Sequence, residues 1–277
     1  MTVFIKTHGR PDKQLTYHTL REAGYTGDII FVVDDEDNTV SELMLNVYGN
    51  QVVSFNKQLY IDKIDSGVSN PKRNVNLYSW CACEDIAEER NIEYFVMADD
   101  DITGFRYRYK DGEHLRSLRI TKNLDSIFEL IKEYMFSCNI ASMSTGIPQM
   151  YFSKDIESNL WKWRVPYTFV FRNSNYKMSW VSEYEEDIIT AINSSIEGKY
   201  MSVFPMIQRD TVNIGSNDGG MHDSYIDTFR NAQYGYMWHP SCEEIISYKN
   251  KWMCQIKRDN AFPKIVSSNV SKSRCKC

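Results

Sequence analysis

The first hundred residues alternate short apolar runs with stretches whose apolar positions recur every three or four residues, the pattern of strands feeding helices around a mostly parallel sheet. VFIKT (3–7) predicts a buried strand, KQLTYHTLREAG (13–24) a helix stopped by Gly24, and DIIFVVDD (28–35) a second strand running into carboxylates. QVVSF (51–55) predicts a third strand, followed by the turn-rich loop SGVSNPKRN. NVNLYSWCACEDIAEERN (74–91) predicts a helix, and YFVMA (94–98) a fourth strand that enters three aspartates. The second half is fainter. It predicts a helix over 123–137, a strand over PYTFVF (166–171), a helix over 185–198 and a Gly-rich loop at 215–224. The fold class is α/β, as one domain with a C-terminal extension and no internal repeat.

Three of the four N-terminal strands finish in polar clusters, THGR (7–10), DDED (34–37) and DDD (99–101). Open α/β sheets bind ligands in the crevice outside the carboxyl ends of their strands, so these clusters mark the expected site. Asp99 and Asp101 are two apart at a strand end, where alternate side chains point to the same side and can converge on one cation. Hard oxygen ligands suit Mn2+ or Mg2+, and such an ion keeps positions open for substrate phosphates. Acidic residues also cap strands and solvate turns, but three in a row after a buried strand favour metal. His222, in the loop GGMHDS, is a candidate third ligand, with Asp218 and Asp223 as alternatives.

Glu185, Glu186 and Asp187 open a predicted helix, where the dipole favours carboxylates. Dipole complementation explains them; so does a general base that removes a proton from an acceptor hydroxyl. Thr7, Gly9 and Arg10 end the first strand, Asp34 and Asp35 the second, and Lys72 and Arg73 lie in the loop before the helix at 74–91. Together with Asp100 they would surround a nucleotide laid along the strand ends, Arg and Lys offering charge-assisted bonds to phosphate. Neither G-x-x-x-x-G-K-[ST] nor G-x-G-x-x-G occurs, so the nucleotide is held in some other way.

Composition narrows the setting. No apolar run approaches the roughly 18 residues of a membrane span, and MTVFIKTHGRP lacks the parts of a secretory signal, so a soluble, cytoplasmic protein is expected. Seven cysteines without a regular framework argue for reduced thiols, with Cys81 and Cys83 as packing residues. His239, Cys242, Cys254, Cys275 and Cys277 are soft enough for zinc, though their spacing matches no standard site. The net charge of −5 hides an asymmetry: residues 251–277 hold seven Lys or Arg against one Asp. A basic tail serves as a phosphate-binding arm or as a solvated end. The stretch GFRYRYKDGEHLRSLR, directly after the aspartates, interleaves aromatic and basic residues and reads either as an acceptor surface or as an edge strand with outward charges.

Taken in order, the THGRP and VVDDEDN strand ends, the PKRN loop, the DDD triplet, the EED helix start and a late histidine resemble the GT-A class of nucleotide-sugar glycosyltransferases. More narrowly, IKTHGRP with VMADDDITGF is similar to the TET-associated glycosyltransferases of bacteriophages. That resemblance implies a GT-A-like domain over residues 1–225, nucleotide-binding over 1–110 and acceptor-binding over 111–225, followed by an extension with a basic tail over 226–277. It implies that Asp99 and Asp101 form the DxD motif with Mn2+ or Mg2+, joined by His222. It also implies that Asp34 or Asp35 meets the nucleoside, Arg73 the donor, and Asp187 the acceptor hydroxyl as base. The donor would be a nucleoside diphosphate sugar such as a UDP-sugar, and the acceptor 5-hydroxymethylcytosine in phage DNA, in the host cytoplasm. A glycan acceptor and a non-catalytic sugar-nucleotide-binding module are the competing readings, since fold alone does not decide function.

Overall fold

A strand covered on both faces buries apolar side chains on each of them, and β1 (Thr2–Lys6), β2 (Ile29–Asp34) and β4 (Tyr94–Asp99) are such strands, apolar through their middles and polar at the end. Successive side chains point to opposite faces, so each strand feeds two cores. Val3, Ile5, Phe31, Val96 and Ala98 meet Leu20, Met44, Phe128 and Ile131 on one side of the sheet. Phe4, Val32, Phe95 and Met97 meet Leu77, Tyr78, Ala82, Cys83 and Ile86 on the other. The computed structural model describes residues 1–69, 71, 73, 75–152, 168–212, 228–248 and 251–257, and it is a three-layer α/β/α arrangement.

The helices facing the first core are α1 (Leu15–Glu22), α2 (Asn38–Tyr48) and α5 (Leu124–Ser137). α4 (Leu77–Glu89) lies against the second core, and α3 (Lys57–Lys63) packs beside α4. α1 stops as expected: Gly24 follows with φ +85°, the left-handed conformation that closes a helix C-terminus. Cys81 and Cys83 are buried in α4, and burial pushes both thiols up, which suits packing rather than reactivity.

The sheet adds β3 (Val52–Phe55), β5 (Ile102–Asp111), β6 (His114–Arg119), β7 (Ser142–Gly146), β8 (Phe169–Asn173) and β9 (Met201–Thr211). Its order is β3-β2-β1-β4-β8-β7-β9-β5-β6. The pairings leave only β5 and β8 reversed, so the sheet is mostly parallel. The C-terminal ends of β1, β2, β3, β4, β7 and β9 therefore share one edge with the starts of β5 and β8. After the sheet come α6 (Glu186–Ile196), which precedes β9 in the chain, α7 (Thr228–Trp238) and a separate hairpin of β10 (Glu243–Tyr248) and β11 (Lys251–Ile256). α7 and the hairpin approach closely at Gly235, where a Cβ would stand 2.6 Å from Glu243 Oε2. Ile188 and Ile192 of α6 pack on Cys242, with Ile256 beside them, so this unit leans on α6.

Several elements escape the sequence reading. β7 reads SMSTG, and its Ser142, Ser144 and Thr145 are buried although polar, so no apolar run announces it. The helices α2 and α3 fall in stretches to which the sequence pattern assigns no element, and the same holds for α7, β9 and the β10–β11 hairpin.

One buried ion pair joins the layers. Arg172 in β8 is 1% exposed. It donates to Glu84 of α4 at 2.5 Å, to the Ala141 carbonyl at 2.9 Å and to the Tyr176 carbonyl at 2.7 Å, while Glu84 accepts from the Met178 amide at 3.2 Å. Removing one partner strands the other charge in a dry interior. Glu84→Ala is expected to destabilise the fold by about 3–5 kcal/mol. Denaturant unfolding checks this, and a loss below about 1 kcal/mol would show that water reaches the pair.

Candidate functional site

The three aspartates leave β4 with their side chains divided between two tasks. Asp100 turns inward and is buried. Its Oδ2 accepts from the Thr7 hydroxyl at 2.7 Å and its Oδ1 pairs with Arg10 at 2.9 Å, while Gln14 donates to the Thr7 hydroxyl and the Arg10 carbonyl. Burial pushes the Asp100 carboxyl up, with Arg10 and Thr7 opposing. Asp99 and Asp101 lie on the other side. Lys6 Nζ donates to Asp99 Oδ1 at 2.6 Å. Asp101 Oδ1 is buried with no hydrogen-bond partner. Burial first, and then the charges of Asp99 and Asp100, push the Asp101 carboxyl up to about 6. That oxygen has no cation bonded to it, so Asp99 and Asp101 have the hard oxygen donors that would hold a divalent ion. Among the described residues no three His, Cys, Asp or Glu side chains converge as a ligand set, and His222 lies outside those residues.

Beside this corner the ends of β1 and β2 form a second network. Asp34 accepts from His8 Nδ1 at 2.8 Å and pairs with Lys57 Nζ at 2.8 Å. Burial alone pushes its carboxyl up, but His8 and Lys57 overcome this and hold it at about 2. The bond to Asp34 in turn raises His8. Gly9 donates its amide to Asp37 at 2.7 Å, in the left-handed conformation with φ +68°. Asp35 is exposed and accepts from the Lys57 amide at 3.0 Å. Arg73 is exposed, pairing with Glu36 and donating to Gln58 at 2.9 Å. Of the expected nucleotide contacts, then, Thr7, Asp34 and Asp100 form its buried frame with half-buried Arg10, while Gly9, Asp35 and Arg73 lie on its open side. Lys72 lies outside the described residues.

The EED segment completes the third wall. Glu186 and Asp187 occupy the first turn of α6, with Asp187 Oδ1 accepting the Ile188 amide at 2.8 Å. Just before it, Ser182 and Glu185 hold φ of +67° and +51°. The other described non-glycine residues at positive φ are asparagines, which tolerate it, so backbone strain gathers at this segment. It is held by the loop at 65–66: Ser182 and Glu183 donate their amides to the Asp65 and Ser66 carbonyls at 2.8 and 3.0 Å. Glu186 is pushed up to about 8, first by burial, then by Asp187, with Lys6 opposing. Lys6 thus acts electrostatically on both Asp101 and Glu186, which ties the acidic corner to the helix start.

The C-terminal unit is part of this neighbourhood. Tyr234 of α7 stacks on Tyr184 with ring centroids 4.9 Å apart, and Trp238 Nε1 stands 3.3 Å from the position a Cβ on Gly67 would take. The basic-aromatic stretch after the triplet forms β5 and the edge strand β6, with its charges outward along 109–119. β5 starts at the site but runs away from it. The tip of the β5–β6 ribbon, at 111–114, lies roughly 30 Å from Asp101 at about 3.3 Å per residue, while β6 returns to set Arg119 opposite Arg106, where it donates to the Thr103 carbonyl at 3.3 Å. The two ends of that stretch therefore lie near the triplet, and its middle does not. Cys254 bonds Glu243, and with His239 and Cys242 it forms no metal-ligand set among the described residues; Cys275 and Cys277 lie outside them.

The sequence reading missed Lys6, His8, Gln14 and Lys57. The available signal was a lysine closing an otherwise apolar run, in VFIK and again in SFNK, where a charge at a buried register must have a partner.

The TET-Associated Glycosyltransferase family matches residues 1–220. No curated protein matches the sequence significantly. Among solved structures, a 4-diphosphocytidyl-2C-methyl-D-erythritol synthase from Anaerococcus prevotii aligns with a TM-score of 0.38 at 10% identity, over 78% of this chain and 91% of that one. Residues 1–349 of S. aureus TarS align with a TM-score of 0.35 at 13% identity, over 75% of this chain and 59% of that one.

The raised Glu186 carboxyl makes stability depend on pH. Between 4.5 and about 8 the folded chain holds a proton that the unfolded chain releases, so Glu186 costs stability progressively as pH rises through that window. Glu186→Gln is expected to melt several degrees above the wild type at pH 8, with the gap closing by pH 5. Thermal unfolding at both pH values checks this, and an equal gap at both would rule it out.

Proposed function

Because the chain belongs to the TET-associated glycosyltransferase family, and is a glycosyltransferase, we propose that it transfers a sugar from a nucleoside diphosphate sugar, a UDP-sugar, to the hydroxyl of 5-hydroxymethylcytosine in DNA with the help of Mn2+ or Mg2+. The observation that carries the donor half is the buried, unpartnered Asp101 oxygen beside Asp99, at the edge where all the parallel strands end. Asp99 and Asp101 would hold the divalent ion. When bound, that ion neutralises charge on the departing diphosphate.

The chain's own residues divide the remaining work. Thr7, Arg10 and Asp100 keep the β1 end and the triplet in fixed relation. Asp34, with His8, faces the nucleoside, and Gly9, Asp35 and Arg73 border the nucleotide on its open side, with Lys72 a further candidate for the phosphates. Asp187 takes the proton of the acceptor hydroxyl, the carboxylate whose charge helps keep the proton on neighbouring Glu186. His222 is a candidate third ligand to the ion.

Support for a DNA acceptor comes from the family's association with TET, from the basic residues of 251–277, and from exposed Phe229 and Trp252, edge to face at 5.4 Å on the unit that packs against α6. Stacking on aromatic side chains, with cations nearby, is how unpaired bases are held. A hydroxymethyl group within a duplex reaches such a site most readily when its base leaves the stack. The cytoplasm is the compartment such a reaction implies, and no described helix is long and apolar enough to cross a membrane.

The test offers hydroxymethylated duplex and single-stranded DNA with a panel of UDP-sugars and Mn2+, and reads the mass of the DNA. A mass increase of one sugar per modified base is expected; none with DNA, alongside transfer to a glycan, would overturn the acceptor. In the same assay Asp99→Asn and Asp101→Asn are each expected to lower transfer on the order of a hundredfold or more. Wild-type rates in either would sink the metal-dependent donor site.

A further inference from the structure

Lys6 is the last residue of β1, and its side chain is 4% exposed. A buried ammonium is costly unless paired. The β1–β4 register sets Lys6 directly opposite Asp99, which brings Nζ to 2.6 Å from Asp99 Oδ1. Below it lies the indole of Trp80, 3.3 Å from Nζ to the ring centroid, a cation–π contact backed by Trp180 at 5.5 Å.

This arrangement is more than a brace. An ammonium has three N–H donors, and among the described residues the hydrogen bond from Nζ goes to Asp99 alone. Asp101 Oδ1, within reach of the Lys6 charge, has no hydrogen bond. A buried cation with donors to spare is thus bonded to Asp99, two residues from a half-buried carboxylate whose inward oxygen has an acceptor to spare. A divalent cation satisfies the carboxylates but competes with Lys6 for Asp99; an anion satisfies the ammonium. A metal-bound diphosphate supplies both at once.

We propose that Lys6 is the donor-phosphate cation of the site: it holds Asp99 in place in the free protein, then turns an N–H to the diphosphate as Asp99 and Asp101 take the divalent ion. This rests on the metal-dependent donor reading above. Its consequence is coupling. Metal releases the ammonium to the phosphate, and phosphate draws the ammonium off Asp99, so each tightens binding of the other by the same factor.

The experiment titrates the full chain with Mn2+, reading free ion by electron paramagnetic resonance, with and without inorganic pyrophosphate, for wild type, Lys6→Met and Lys6→Arg. In wild type, pyrophosphate is expected to tighten Mn2+ binding. In Lys6→Met, Mn2+ alone should bind as tightly or more tightly, since Asp99 has lost a competing cation, while the pyrophosphate effect falls about ten- to a hundredfold. Lys6→Arg should keep part of it. Full coupling in Lys6→Met, or Mn2+ binding lost along with it, would make Lys6 a structural brace and overturn the proposal while leaving the donor reading intact. A wild type that binds no Mn2+ with or without pyrophosphate would overturn both. Should Lys6→Met not fold, the wild-type Lys6 ammonium nitrogen resonance, assigned through Lys6→Arg, is read instead. It is expected to shift when Mg2+ and pyrophosphate are added together, and no shift overturns the proposal.

Discussion

The parallel pairing of β1 with β4 sets Lys6 against Asp99, and the arrangement of charges around the site follows from that register. Side chains alternate along a strand, so a slip of one residue would exchange the two faces of β4 and carry Asp100 to the open side in place of its neighbours. The register is held because β1 and β4 are apolar on both faces, and every position has its own core to fill. Hydrophobic packing thereby fixes an electrostatic geometry to within a hydrogen-bond length.

Around that pair, each carboxylate has its own balance. Asp100 and Asp34 are buried and satisfied, by Thr7 with Arg10 and by His8 with Lys57, so they hold the loops after β1 and β2 against the sheet. Asp101 has a buried oxygen without such partners and Glu186 is raised by burial and then by Asp187, and both are held well above the usual carboxylate range. Perturbed groups gather at functional sites because chemistry needs charges that solvent would otherwise quench. The division between satisfied and unsatisfied carboxylates separates the frame of this site from its reacting parts.

The third wall depends on strain and on a buttress. Ser182 and Glu185 adopt a backbone conformation that side chains disfavour, and the amide bonds to the loop at 65–66 hold them there. α7 and its hairpin add the stacking of Tyr234 on Tyr184 and the contact of Cys242 with α6. The C-terminal unit therefore bears on the geometry of the EED segment, and it presents exposed aromatic side chains of its own, Phe229 and Trp252.

Much of the N-terminal half was legible in the sequence, since VFIK, IIFVVD and YFVMAD are apolar runs of strand length that end in charge, and the three ends meet at one edge. The split of DDD into Asp99 and Asp101 against Asp100 also follows from the two-residue period of an extended chain. The sequence could not show that Lys6 would face Asp99, that Lys57 would reach Asp34, or that the β5–β6 ribbon would carry its tip away from the site and bring Arg119 back beside Arg106. Periodicity is local and survives in a single segment of chain, whereas a partner 93 residues away is chosen by which strands become neighbours. The polar strand SMSTG makes the same point, for it is buried by its position between β8 and β9 and not by any hydrophobicity of its own. The sequence alone determined which segments seek the interior and which strand ends carry charge; only the tertiary structure decided which charges meet, because that depends on strand order and register, and neither is encoded in any one strand.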